Sequence, residues 1–209
     1  YRIGLGPSSS HTMGPRFAAQ AFRAAMPAAV RIRATLYGSL AATGRGHMTD
    51  SAVCAPFAPL PVELIWAAEQ LLPRHPNGLK LEALDAADQV LATRVAYSVG
   101  GGALLDEDGR SDGADDVYPY TSMQEILEQT ERESLLIWEL CEQHEGPAIW
   151  PFLERIWAAM QSAIARGIDA EGKLPGTLNV PRKASAYHAR AQNMAGYFGQ
   201  TASLFSYAL

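Results

Sequence analysis

Arg31-Ile32-Arg33-Ala34-Thr35-Leu36-Tyr37 alternates polar and apolar residues at period two, the mark of a strand with one buried face. The residues before it keep a different rhythm. Gly14-Pro15 followed by Phe17, Ala18, Ala21, Phe22 and Ala25 has helical spacing, and a proline is tolerated in a first turn because its missing N–H would be unpaired there anyway. A helix to about Met26 is expected. After the strand, the glycine-punctuated stretch from Gly38 to Gly46 reads as a loop. Pro56, Pro59 and Pro61 stop any helix begun at Thr49 from running far, and Leu64 to Leu72 reads as a short helix. Lys80 to Leu84 and Gln89 to Val99 read as two more strands, separated by the turn Asp85-Ala86-Ala87-Asp88. The fold expected is α+β, a small mixed sheet with helices.

The pattern changes beyond the acidic, glycine-bearing segment Asp106 to Asp116. Ser122-Met123-Gln124-Glu125 is a capping-box pattern ahead of Ile126, Leu127, Leu135, Leu136, Trp138 and Leu140. Ile149, Phe152, Leu153, Ile156, Trp157, Met160 and Ile164 keep three-and-four spacing, with Gly167 as the expected stop. Residues 1–120 are therefore expected to form the α+β unit and residues 121–209 an all-helical one. Met194, Tyr197, Phe198, Leu204, Phe205 and Leu209 read as an apolar helix face with no stop behind it, and the chain opens on Tyr1 close to a loop. Both ends are expected to be cut from something longer.

The chain has 209 residues, 48% hydrophobic and 19% charged, the balance of a packed soluble protein. A formal net charge of -5 leaves no broad basic field for a phosphate backbone, so nucleic acid is not an expected partner. No apolar run reaches the roughly 18 residues of a membrane span, and no basic-then-apolar leader appears; a cytoplasmic protein is expected. Cys54 and Cys141 lack C-x-x-C spacing and read as two free buried thiols. Two cysteines cannot ligate an iron-sulfur cluster of the usual thiolate kind, so no metal site is expected in this chain.

Four segments carry residues suited to chemistry. Gly6-Pro7-Ser8-Ser9-Ser10-His11-Thr12-Met13-Gly14-Pro15 sets four hydroxyls and a histidine at a helix start, where hydroxyls and unpaired N–H groups can meet an anion such as a substrate carboxylate. Alternatively Ser and Thr only cap the helix, and His11 satisfies itself on backbone. Gly44-Arg45-Gly46-His47-Met48-Thr49-Asp50 follows a strand. His47, with an ordinary pKa of about 6.5, suits a general base, and Asp50 is positioned to orient it; alternatively Thr49 or Asp50 caps a helix and His47 is solvated. Ser98-Val99-Gly100-Gly101-Gly102 ends a strand with three glycines, which mark positive φ or close approach to a ligand, or simply a turn. Leu174-Pro175-Gly176 and Val180-Pro181-Arg182-Lys183 form a linker in which Arg182 either pairs with a carboxylate or is solvated. His75, His144 and His188 have no metal-ligand spacing and receive no role.

In this order, the segments resemble the iron-sulfur-dependent L-serine dehydratases, also called L-serine ammonia-lyases. The resemblance is carried by Ile3 to Pro15, Tyr37-Gly38-Ser39-Leu40, Thr43 to Asp50, Tyr97 to Gly102, Tyr118-Pro119-Tyr120 with its capping box, and Leu174 to Ser185. It implies an α+β domain like the substrate-sensing domain of some phosphoglycerate dehydrogenases, then a helical domain holding a four-iron four-sulfur cluster. It implies conversion of L-serine to pyruvate and ammonia without pyridoxal phosphate, in amino-acid degradation and gluconeogenesis. His47 is then the base at the α-carbon. Ser8, Ser9, Ser10, His11, Thr12, Thr49, Asp50, Ser98, Gly100, Gly101, Gly102 and Arg182 are the implied substrate contacts. The cluster cysteines are expected beyond Leu209, supplied by a missing part, a second chain or a homodimer. The chain departs from the family pattern at Ser51-Ala52-Val53-Cys54-Ala55-Pro56, and the Asp50 to Tyr97 interval is shorter than the family's. Two other readings share these residues: a non-catalytic, regulatory module that binds an amino acid or carboxylate, and a relative that acts on threonine.

Overall fold

The computed structural model describes residues 1–112, 117–175 and 179–198, with side chains as far as Met194. Gly176, the side chains of Tyr197 and Phe198, and the expected apolar face at Leu204, Phe205 and Leu209 lie outside the described residues. The chain divides into two compact units: Tyr1–Gly113 with Gly172–Arg182, and Ala114–Glu171 with Lys183–Leu209.

The first unit is a five-stranded mixed sheet with short helices. A wide helical turn, Ser9–Met13, runs into α1 (Gly14–Ala25). Strand β1 (Arg31–Tyr37) follows, then α2 (Gly38–Thr43), a 3-10 turn at Gly44–His47, and α3 (Thr49–Cys54). The remaining strands are β2 (Val62–Ala67), β3 (Gly78–Leu84), β4 (Val90–Gly100) and β5 (Ala103–Leu105). Their order is β2-β1-β3-β4-β5, with β1 and β2 parallel and the other pairs antiparallel. The small mixed sheet with helices expected from the sequence is what forms.

Alternation dictates the core. Ile32, Ala34 and Leu36 of β1 and Leu79, Leu81 and Ala83 of β3 point to one face, as period-two side chains must. Ala18, Ala19 and Phe22 of α1, Leu40 of α2, Val53 of α3 and Phe57 cover that face. The Phe22 and Phe57 rings meet edge to face at 6.3 Å, a favoured aromatic arrangement. Helices α1, α2 and α3 therefore share one side of the sheet, and the segments joined to their ends come together there.

Three local expectations need correction. Leu64 to Leu72 is not a helix: Val62, Leu64 and Trp66 pack on the core, while Glu63 pairs with Arg33 at 2.9 Å. The apolar spacing at Leu64, Ala67, Ala68 and Leu71 also fits a helix, and the parallel ladder with β1 decides between the two. Gly38 to Gly46 is helical rather than a loop, entered through Gly38 at φ 48°; an added Cβ there would lie 2.5 Å from the Pro76 carbonyl oxygen. Cys54 and Cys141 are free but half-buried, not buried.

The second unit is helical: α4 (Met123–Glu133), α5 (Ile137–Glu145), α6 (Ile149–Asp169) and α7 (Ala184–Phe198). The Ser122 hydroxyl accepts from Glu125 N, but the Glu125 carboxylate turns to Thr121 N and Oγ1. Gly167 is not a stop, because α6 continues to Asp169. His144 accepts or donates with Tyr120 OH at 3.1 Å, and Tyr118 OH donates to Glu145 at 3.0 Å. Burial, then Cys141 and Glu145, push the Tyr118 hydroxyl well above its ordinary range.

Leu36 is fully buried at the centre of the sheet. Leu36→Ala should lower unfolding free energy by about 2–5 kcal/mol in denaturant titration; a loss under 1 kcal/mol would show that the first unit's core is not organised about β1.

Candidate functional site

The two histidine-bearing segments are joined by a crossed pair of hydrogen bonds. Thr12 Oγ1 donates to the His47 carbonyl at 2.7 Å, and Thr49 Oγ1 donates to the His11 carbonyl at 2.6 Å. Both threonines are buried, and each hydroxyl satisfies a carbonyl of the opposite segment. Met48 adopts the left-handed conformation at φ 57°, turning the chain between the 3-10 turn and α3. The result places the His11 and His47 rings 4.8 Å apart, centroid to centroid, tilted by 36°.

His47 has a defined tautomer. Its Nδ1 lies 3.0 Å from the Thr43 carbonyl, which can only accept, so Nδ1 carries a hydrogen and, in the neutral ring, the lone pair is on Nε2. His47 lines a cavity of about 410 Å³ whose walls come from Gly6 and Pro7, Gly46 to Met48, Leu174 and Pro175, and Asn179 and Val180. It is the titratable side chain among those lining residues. A neutral imidazole with Nε2 bare, beside a largely apolar hollow, is equipped to accept a proton from a carbon acid.

His11 is held differently. Ser10 Oγ lies 3.0 Å from its Nδ1 and Ser39 Oγ 3.1 Å from its Nε2, so one hydroxyl donates and the other accepts. Burial first, then the neighbouring His47, lower its pKa from 6.5, against a hydrogen bond to the Ser39 backbone that raises it. His11 is thereby kept neutral at pH 7. Nothing in the spacing singled out Ser39 or the Thr43 carbonyl.

The serine loop is largely bonded to itself. Ser8 Oγ accepts from His11 N at 3.1 Å, Ser8 N donates to Thr12 Oγ1, and the N–H groups of Thr12, Met13 and Gly14 go to the Ser8 and Ser9 carbonyls. The exposed Ser9 hydroxyl makes no hydrogen bond among the described residues. Ser98 is buried, its hydroxyl has no partner among the described residues, and it lies where a Cβ on Gly14 would come within 2.1 Å. Gly100, Gly101 and Gly102 all have positive φ and form the β4–β5 turn; a Cβ on Gly102 would lie 2.9 Å from Met13 Cε.

Two site expectations separate from this group. Asp50 does not orient His47: its Oδ1 accepts from Ser51 N at 2.8 Å, and the Thr43 carbonyl performs the orienting. Arg182 N donates to the Gly172 carbonyl, and its half-buried side chain is not among the residues lining the His47 cavity.

The family profile described as "Serine dehydratase beta chain" matches residues 1–61 and 57–109. L-serine dehydratase 1 of Escherichia coli K12 is 31% identical over 236 residues, covering 89% of this chain and 52% of the relative. L-serine dehydratase TdcG of the same strain is 33% identical over the same coverage, and L-serine dehydratase of Streptomyces coelicolor is 32% identical over 239 residues, 88% of this chain and 52% of the relative. The chain thus spans about half the length of the curated relatives it matches. These alignments are longer than the chain, so they contain gaps opposite residues that the relatives carry. The two matched segments of the profile meet at 57–61, inside the Asp50 to Tyr97 interval.

Thr49→Val and Thr12→Val each remove the hydroxyl donor from a partly buried carbonyl and should each cost about 1–3 kcal/mol in urea unfolding, with a non-additive double variant and Thr49→Ser close to wild type. Additive losses below 0.5 kcal/mol would contradict a coupled pair. Because the pKa of His11 is lower folded than unfolded, the unfolded chain binds the extra proton first as pH falls. Stability should therefore be full above about pH 6.5 and decline below it, and His11→Asn should flatten that decline between pH 7.5 and 5.

Proposed function

The chain belongs to the serine dehydratase beta chain family, and from that membership we propose that it forms the substrate-facing part of an enzyme that converts L-serine to pyruvate and ammonia. The observation that carries the reading is the orientation of His47. Its Nδ1–H is held by the Thr43 carbonyl, leaving Nε2 free at the cavity.

In this reading His47 Nε2 takes the α-proton of serine. The electron pair of that C–H bond forms a Cα–Cβ double bond as the β-hydroxyl departs. The aminoacrylate released tautomerises to an imine, and water hydrolyses it to pyruvate and ammonia, so no external oxidant is needed. His11, neutral and fixed between two hydroxyls, lies beside His47 without adding a positive charge that would weaken it as a base. The cavity's apolar walls limit water beside the reacting carbon.

The four-iron four-sulfur cluster that the resemblance implies is not matched by residues of this chain. Cys54 and Cys141 are its two cysteines, and burial, then Asp50, push the Cys54 thiol up, away from the thiolate a metal requires. Among the described residues no group of three His, Cys, Asp or Glu side chains is placed to hold a metal ion. The cluster, and with it activation of the leaving hydroxyl, is assigned to the other half of the enzyme or to a partner copy. No helix among the described residues is long and apolar enough to cross a membrane, and we assign the enzyme to the cytoplasm.

The test is anaerobic reconstitution of the full-length protein with iron and sulfide, followed by a 2-oxo acid assay on L-serine and L-threonine. His47→Asn should lower kcat on L-serine by about a hundredfold or more. Full activity in that variant would remove His47 as the base. Serine binding without any pyruvate from wild type would leave the chain a binding module.

A further inference from the structure

A second, smaller cavity of about 170 Å³ shares Gly6 and Met48 with the first and is lined by Leu5, Thr12, Arg16, Ser51, Ala52 and Ala55 as well. Arg16 is the charged side chain among them. It is half-buried, and it forms no hydrogen bond or ion pair with the described residues. A cation partly removed from water and left unpaired is unfavourable.

One ligand type relieves that. We propose that Arg16 is the anchor of a binding site for a small monocarboxylate, adjoining the His47 cavity. The guanidinium fork matches a carboxylate bidentately. Ser51 lies at the rim, its N–H committed to Asp50 and its hydroxyl available as a further donor, while Leu5, Ala52, Ala55 and Met48 offer an apolar wall for a short carbon chain. Two sources share this chemistry: the carboxylate of the amino acid whose α-carbon faces His47, or a separate small acid. The first rests on the function proposed above; the site itself does not.

The probe is propionate, with 1-propanol as the uncharged control, followed on the full-length protein by ligand-observed saturation-transfer NMR. Propionate should bind wild type and 1-propanol should not. Arg16→Met should raise the propionate Kd by about tenfold or more, and Arg16→Lys should fall between, since an ammonium keeps the charge and loses the fork. Unchanged propionate binding in a folded Arg16→Met protein, or in Arg16→Lys if the Met variant fails to fold, would overturn the proposal. His47→Asn should bind propionate as wild type does; loss of binding there with retention in the Arg16 variants would place the carboxylate in the other cavity instead. In the serine assay, a raised KM with unchanged kcat for Arg16→Lys identifies the substrate's own carboxylate. Weaker propionate binding with unchanged KM identifies a separate acid. Absence of any turnover would count against the proposed function and leave the propionate result standing.

Discussion

Two hydroxyl-to-carbonyl hydrogen bonds, Thr12 to His47 and Thr49 to His11, hold together segments that the chain separates by more than thirty residues. Each uses the hydroxyl of a buried threonine to satisfy a main-chain carbonyl of a half-buried histidine, which ties the two segments directly to one another. The sheet makes the crossing possible. Helices α1 and α3 lie on the same face of β1 and β3, and the histidine segments are the turns that enter those helices. Without the crossed bonds, the 4.8 Å approach of the two imidazoles would rest on packing and on the ring contacts to Ser39 and Thr43.

The pair is asymmetric in a way that suits acid-base work. His11 has both ring nitrogens engaged by serine hydroxyls and is kept neutral by burial and by its neighbour. His47 has one nitrogen engaged by a main-chain carbonyl and the other free. A carbonyl is a firmer support than the carboxylate expected at Asp50: it fixes the tautomer without a charge that would need its own solvation. Arg16 follows the opposite logic, a charge that no described residue balances.

Much of the architecture was legible because its signals are local. The alternation of β1, the helical spacing after Pro15 and the turn between β3 and β4 all appear as expected; Asp85 Oδ1 accepts from Ala87 N and Gln89 N in that turn, the short-range bonding that aspartate brings to turns. Strand β2 was misread because Val62 to Leu72 satisfies both periods and its pairing to β1 is long-range. The motif residues His11, Thr12, His47 and Thr49 were legible as a group, but not the use of their hydroxyls, since a threonine in sequence does not reveal whether it faces a ligand or a carbonyl. Ser39 and Arg16 were passed over for the same reason: one reads as a turn residue and the other as the polar side of a helix, and only the packing of distant segments shows what faces them.

The central claim is that His47 presents an unprotonated Nε2 to the cavity. The direct measurement is long-range 1H–15N correlation NMR of the histidine side chains at neutral pH. His47 should show a pyrrole-type Nδ1 and a pyridine-type Nε2. A pyrrole-type Nε2, with Nδ1 unprotonated, would contradict it.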